Sequence, residues 1–349
     1  MNTTKLLRLL FLLLPLSFQY NAQANSKVVG YLPAYKGLLE NTKTDQLKQL
    51  THLNIAFLNP DKSGSFIHKN QFTCTYTKLQ QLLTKKELLA TIRLAQQENV
   101  LVSFSLGGAI IPQCGGDWRA LLVPDKQQLI VDNLLALVDE FNLNGIDIDL
   151  ESQLLMSVIS DQNFLPVIQA LSKALKARGK ILSAATGSYI GGMMPVETLA
   201  YFDYVSLMSY DAIGPTWGTA GVEHATLKQS EQDIKLWLER GLTPEQLVLG
   251  LPFYGYGFGK YKATYTFAQI INEFGKASAE HNLIGNACAE CDYVTYNGTV
   301  VLRTKIDLAL TYGSGVMIWE ISQDSDQLSL LTIINQHLNQ VTKTNLTKL

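Results

Sequence analysis

Several things this sequence lacks narrow its function before any motif is considered. Charged residues make up only 17% of the 349 and the formal net charge is -2, which leaves no basic patch for nucleic acid or an anionic membrane. The five histidines are scattered, and none stands in a metal-ligand or nucleophile constellation, so neither a metal nor another cofactor is expected. No internal repeat, low-complexity segment or obvious linker divides the chain. The apolar run from Leu9 to Phe18 is too short to span a bilayer.

That run has the anatomy of a secretory leader. Lys5 and Arg8 precede it, Pro15 interrupts it, and Ala22-Gln23-Ala24 supplies a small-residue cleavage site. No cysteine sits at the cleavage point, so a lipid anchor is not indicated. The expectation is a signal peptide over residues 1–24 and a secreted protein, extracellular or periplasmic, that works as a monomer. The remaining 325 residues are long for an average domain but ordinary for one α/β barrel, and 47% hydrophobic residues supply its core.

Four cysteines in an oxidising setting allow three pairings. Cys74 with Cys114 is favoured, since both fall in long loops after neighbouring β-type runs, and Cys288 with Cys291 would close a small local loop. Zinc is the alternative for the Cys288-x-x-Cys291 pair, but no histidine pair or second CxxC completes four ligands.

Short β-type runs occur at 27–31, 51–57, 100–105, 144–150, 180–185, 203–208, 246–251 and 315–319, most with helical patterns between them. Thr84 with Glu87, and Asp125 with Gln128, are spaced as helix capping boxes. Eight strands alternating with helices make an α/β fold of the (β/α)8 TIM-barrel kind.

The fourth run is the most informative. In Asn144-Gly145-Ile146-Asp147-Ile148-Asp149-Leu150-Glu151, apolar and acidic residues alternate, so Asp147, Asp149 and Glu151 share one face of a strand. An ordinary amphipathic strand would turn such acids to solvent. Helical patterns on both sides argue for a βαβ unit with both sheet faces covered, which turns the acids inward. Inward neighbours stand about 6.5–7 Å apart along a strand. At an effective dielectric of about 20 two such charges repel by about 2.5 kcal/mol, so the row holds a shared proton. Glu151, at the C-terminal end where barrel active sites lie, is best placed to act as a general acid.

The octet resembles the D-G-x-D-x-D-x-E signature of glycoside hydrolase family 18, the chitinase family, with Asn144 at the first Asp. Ser105-Leu106-Gly107-Gly108 is similar to the family's S-x-G-G element, and Met208-Ser209-Tyr210-Asp211 to its M-x-Y-D. Gly30-Tyr31, Ala56-Phe57, Leu251-Pro252-Phe253-Tyr254-Gly255 and Trp319 also look like family positions, so the resemblance touches every strand. It implies catalysis by Glu151, Asp149, Asp147 and Tyr210. It further implies substrate contacts from Tyr31, Phe57, Ser105, Gly107, Gly108, Met208, Asp211, Trp217, Tyr254 and Trp319, with Trp319 as the sugar-stacking floor.

The implied reaction is hydrolysis of β-1,4 bonds in chitin or N-acetylglucosamine oligomers. Its mechanism would be substrate-assisted: the 2-acetamido carbonyl attacks the anomeric carbon and Glu151 protonates the leaving oxygen. Two alternatives stay open, an endo-β-N-acetylglucosaminidase acting on N-glycan cores and a non-catalytic chitin-binding relative. Trp118 and Trp217 are loop candidates for further sugar subsites, whereas the spacing of Trp237 puts it in the core. Between the seventh and eighth runs there is a helical pattern near 267–277, a hairpin signal at Asn297-Gly298 and a helix near 304–311. That leaves little room for a large α+β insertion domain, and implies an open groove with endo cleavage.

Overall fold

The computed structural model describes residues 26–346; the leader expected over residues 1–24 lies outside the described residues. The eight β-type runs form parallel strands β1 (Lys27–Pro33), β2 (His52–Leu58), β3 (Leu101–Gly108), β4 (Gly145–Leu150), β5 (Ile181–Thr186), β6 (Tyr204–Leu207), β7 (Leu247–Pro252) and β8 (Gly315–Trp319). Each pairs with the next in the chain, and β8 pairs with β1 to close the barrel. This is a (β/α)8 TIM barrel.

Period-two alternation decides which way β4 faces. Ile146, Ile148 and Leu150 pack outward into one buried cluster with Ile130 and Leu134 of helix Pro124–Glu140 and Ile168 and Leu171 of helix Phe164–Lys176. Asp147 and Asp149 therefore point into the barrel, where both are buried. Strand register then puts Ser105 of β3 and Ser183 of β5 level with Asp147, and Gly107 level with Asp149.

Helix ends follow local chemistry in one expected case and not in the other. The Thr84–Glu87 capping box forms at helix Lys85–Gln97. The Asp125–Gln128 box does not: helix Pro124–Glu140 starts two residues earlier than a cap at Asp125 requires, with Val123 as N-cap and Pro124 in the first turn. Proline's fixed φ suits that first position, and Asp125 is left inside the turn, where its charge complements the helix dipole.

Between β7 and β8 the chain makes a small α+β lobe. Four short strands, in the order Thr264–Thr266, Tyr254–Phe258, Tyr293–Thr295 and Leu283–Gly285, carry helix Phe267–Phe274. The Asn297-Gly298 pair is not a hairpin, contrary to its sequence signal. Gly298 is the N-cap of helix Thr299–Tyr312, and a Cβ there would lie 2.0 Å from the His281 carbonyl oxygen, so glycine serves close packing. Asn297 is buried and its amide donates to the Ala225 carbonyl.

Both disulfides join the favoured partners, Cys74 with Cys114 and Cys288 with Cys291, which excludes the zinc alternative for the second pair. The first ties a hairpin after β2 to the loop after β3 across 40 residues of sequence. Replacing Cys74 and Cys114 by serine is expected to cost about 4 kcal/mol by loop-closure entropy. Urea unfolding of the oxidised protein and the double variant checks it; equal midpoints would mean that the crosslink adds nothing.

Candidate active site

Asp147 is the most firmly held of the three acids. Its carboxylate accepts hydrogen bonds from Tyr31 (2.7 Å), Ser105 (2.7 Å) and Ser183 (2.6 Å), three hydroxyls from three strands. Burial pushes its pKa up, and the serine and tyrosine donors pull against that rise. Asp149, one step toward the rim, has no such set: its buried Oδ1 lacks a hydrogen-bond partner. Burial, then the charges of Glu151 and Asp147, push its pKa well above the usual carboxylate range. A negative charge is thus favoured on Asp147 and a proton on Asp149.

Glu151 stands where β4 gives way to helix Ser152–Ser160, half-buried at the barrel mouth. Burial and the Asp211 charge raise its pKa from 4.5 to about 7. It therefore keeps its proton up to neutrality and can give it to a group in the mouth. Asn144, the departure from the family signature, is at the far end of β4. Its Oδ1 accepts from the Val102 backbone N–H at 2.9 Å, a task an amide performs as well as a carboxylate.

Glycines let the neighbouring strand approach. Gly107 and Gly108 both have φ in the left-handed region; a Cβ on Gly107 would sit 2.7 Å from the Asp149 carbonyl oxygen, and one on Gly108 2.5 Å from the Phe57 ring. Phe57 stacks on Trp319 with centroids 5.5 Å apart, and Tyr31 meets the same indole edge-on at 5.6 Å. Trp319 and Phe57, both partly exposed, make an aromatic floor of the kind that receives the C–H face of a sugar, and the buried Tyr31 backs it. The Ala56–Phe57 and Trp319–Glu320 peptides leading to it are cis.

The opposite wall comes from the end of β6 and the loop beyond. Tyr210 is buried and its hydroxyl donates to the Met317 sulfur at 3.9 Å; Met208 packs at the edge of the same interior cluster. Asp211 has a positive φ of 61° and accepts from the Tyr254 hydroxyl at 2.6 Å. Trp217 is 44% exposed and donates its indole N–H to the Asp211 carbonyl, which leaves its ring at the mouth. Trp118 differs from the subsite expectation. It is 3% exposed and bonds Asn59, whose amide in turn holds the Gly107 carbonyl, so it braces β3 from behind.

Sequence reasoning missed Ser183, Tyr35, Tyr189, Tyr256 and His224. Ser183 had a signal, because it is a polar residue between Leu182 and Ala184 in a strand of mostly small and apolar residues. Tyr35 and Tyr189 are half-exposed and lie near Glu151 and Asp149; burial, then the charges of Glu320, Glu151 and Asp149, raise Tyr35 to about 12, and burial with the charges of Glu151, Asp149 and Asp211 also lifts Tyr189. Nothing in their local sequence marks either.

Among solved structures, the chain is 29% identical to the GH18 chitinase ChiB from the chitin utilization locus of Flavobacterium johnsoniae, with a TM-score of 0.76 over 91% of this chain and 95% of that one. Among curated proteins it is 26% identical to the probable chitinase 10 of Drosophila melanogaster over 59% of this chain, and 25% identical to a class V chitinase of Arabidopsis thaliana over 58%. It spans 11% and 64% of those two relatives' own lengths. The family model for glycosyl hydrolases family 18 matches residues 27–324. That match runs from the first barrel strand past the last and takes in every residue of the acidic row, so the chain belongs to glycosyl hydrolases family 18.

Proposed function

We propose that the protein is a secreted, endo-acting chitinase that cleaves β-1,4 bonds between N-acetylglucosamine units with retention, the substrate's own acetamido group serving as nucleophile. One observation carries the reading: three acids rise from a single strand, and the outermost, Glu151, holds its proton to about pH 7 beside an aromatic floor. The leader-like sequence of residues 1–24 and two disulfides favour export, and the small size of the lobe after β7 favours an open groove.

Each residue then has a task set by its surroundings. Trp319 and Phe57 hold the sugar face, with Tyr31 packed behind them. Glu151 donates its proton to the glycosidic oxygen as the acetamido carbonyl closes on the anomeric carbon, and afterwards takes a proton from water. Asp149, free of competing donors, turns to the acetamido N–H and offsets the positive charge of the oxazolinium ring. Asp147, held by its three hydroxyls, takes the proton that Asp149 gives up as it turns, so that the charge facing the ring is on Asp149. Tyr210 donates to the acetamido carbonyl oxygen.

A conventional retaining enzyme would need a carboxylate nucleophile facing Glu151, at about 5–5.5 Å. Asp211 faces Glu151, but its Oδ1 is taken by Tyr254. The two routes separate on substrate. Purified residues 25–349 should release short oligomers from chitin hexamer and leave fully deacetylated hexamer intact. Cleavage of the deacetylated chain would shift the nucleophile to Asp211. Release of only disaccharide from one chain end would replace endo with exo cleavage, and silence on chitin would end the chitinase reading.

A further inference from the structure

The small lobe after β7 does more than border the groove; it grips one carboxylate. Strand Tyr254–Phe258 sends the Tyr254 hydroxyl to Asp211 Oδ1 at 2.6 Å, and the Tyr256 hydroxyl reaches the same carboxylate. His224 is fully buried with Nδ1 3.6 Å from Asp211 Oδ1, and its ring packs against Tyr254 at 5.4 Å and Tyr256 at 5.1 Å. Its backbone closes the loop: its carbonyl accepts from the Ala212 N–H, and its N–H donates to the Thr295 hydroxyl of the lobe. One residue on, the Ala225 carbonyl accepts from both Asn297 and Lys305.

Asp211 needs such a grip. It sits in the left-handed region at the barrel mouth, with its side chain 37% exposed, and a free carboxylate there would swing to water. We infer that Tyr256 and His224 are positioning residues: together with Tyr254 they hold the Asp211 carboxylate facing Glu151, so the lobe fixes the pH at which the catalytic acid loses its proton. This rests on Glu151 being that acid.

Other charged and titratable groups around the pair are accounted for. Around Glu151 stand Asp149, Tyr35, Tyr189 and Tyr210; around Asp211 stand Tyr210, Tyr189 and Glu151, with Lys305 behind His224. Burial keeps His224 neutral, its pKa below the usual value, and burial lowers Lys305 to about 7. Neither therefore cancels the Asp211 charge outright. The sign follows from like charges: Asp211 in place makes Glu151 harder to ionise, and Asp211 displaced makes it easier.

The test is the pH profile of kcat/KM on a soluble N-acetylglucosamine oligomer. Tyr256→Phe removes one hydroxyl and keeps the ring, and it should move the alkaline limb down by about half a pH unit. Asp211→Asn should move it down at least as far. Adding Tyr256→Phe to Asp211→Asn should move it no further, because the group being positioned is gone. His224→Gln should act like Tyr256→Phe if it folds. An unmoved limb in Tyr256→Phe, or an equal shift with and without Asp211, overturns the inference. Activity persisting in Glu151→Gln would instead overturn the reading on which it rests, so the two failures are distinct.

Discussion

Glu151→Gln is expected to lower turnover of N-acetylglucosamine oligomers roughly a thousand-fold while leaving their binding in place. Glutamine keeps the shape and loses only the transferable proton, and the aromatic floor of Trp319 and Phe57 is untouched. Calorimetric titration against initial rates separates the two quantities. A variant that turns over near the wild-type rate would remove Glu151 from the acid's role, and one that no longer binds would make it structural.

The same substitution should stabilise the protein, and only on one side of a pH window. Glu151 in the folded chain titrates at about 7, above its value of 4.5 elsewhere. A carboxyl raised in this way favours the fold fully below 4.5, and that contribution is lost as pH rises toward 7 because the unfolded chain ionises first. Glutamine cannot ionise, so the variant should gain up to about 3 kcal/mol over wild type by about pH 8 and almost nothing at about pH 4. Urea unfolding at the two pH values checks the sign; equal differences at both would detach the gain from this titration.

All eight barrel strands were legible from period and apolar content, since a strand covered on both faces leaves little freedom in composition. The acidic row was legible for the opposite reason: three acids at alternate positions violate that composition, and a core tolerates such a violation where chemistry is done. What the sequence hid depends on contacts between distant segments. Trp118 in a loop looks the same whether it faces sugar or, as here, Asn59. Asn297-Gly298 carries a turn's chemistry, yet packing against the His281 carbonyl decides its use. His224 has no motif at all, and its place beside Asp211 exists only once the lobe is folded against the loop after β6.

Asp149→Asn should reduce turnover by roughly 10²–10³, through loss of charge at the oxazolinium ring rather than loss of the acid. The position is suited to that task and not to a structural one. Asp149 is 2% exposed, and its Oδ1 is unpaired, whereas Asp147 beside it is saturated by Tyr31, Ser105 and Ser183. A leaving group that needs no proton distinguishes the two acids. On an aryl chitobioside with a strongly acidic phenol, the bond-breaking step of Glu151→Gln should recover, because departure no longer requires protonation. Asp149→Asn should stay slow on the same compound, because the acetamido group still has to build positive charge with nothing to offset it. Recovery of both variants would mean that Asp149 acts only by keeping Glu151 protonated. Recovery of neither would mean that Glu151 does more than protonate the leaving oxygen.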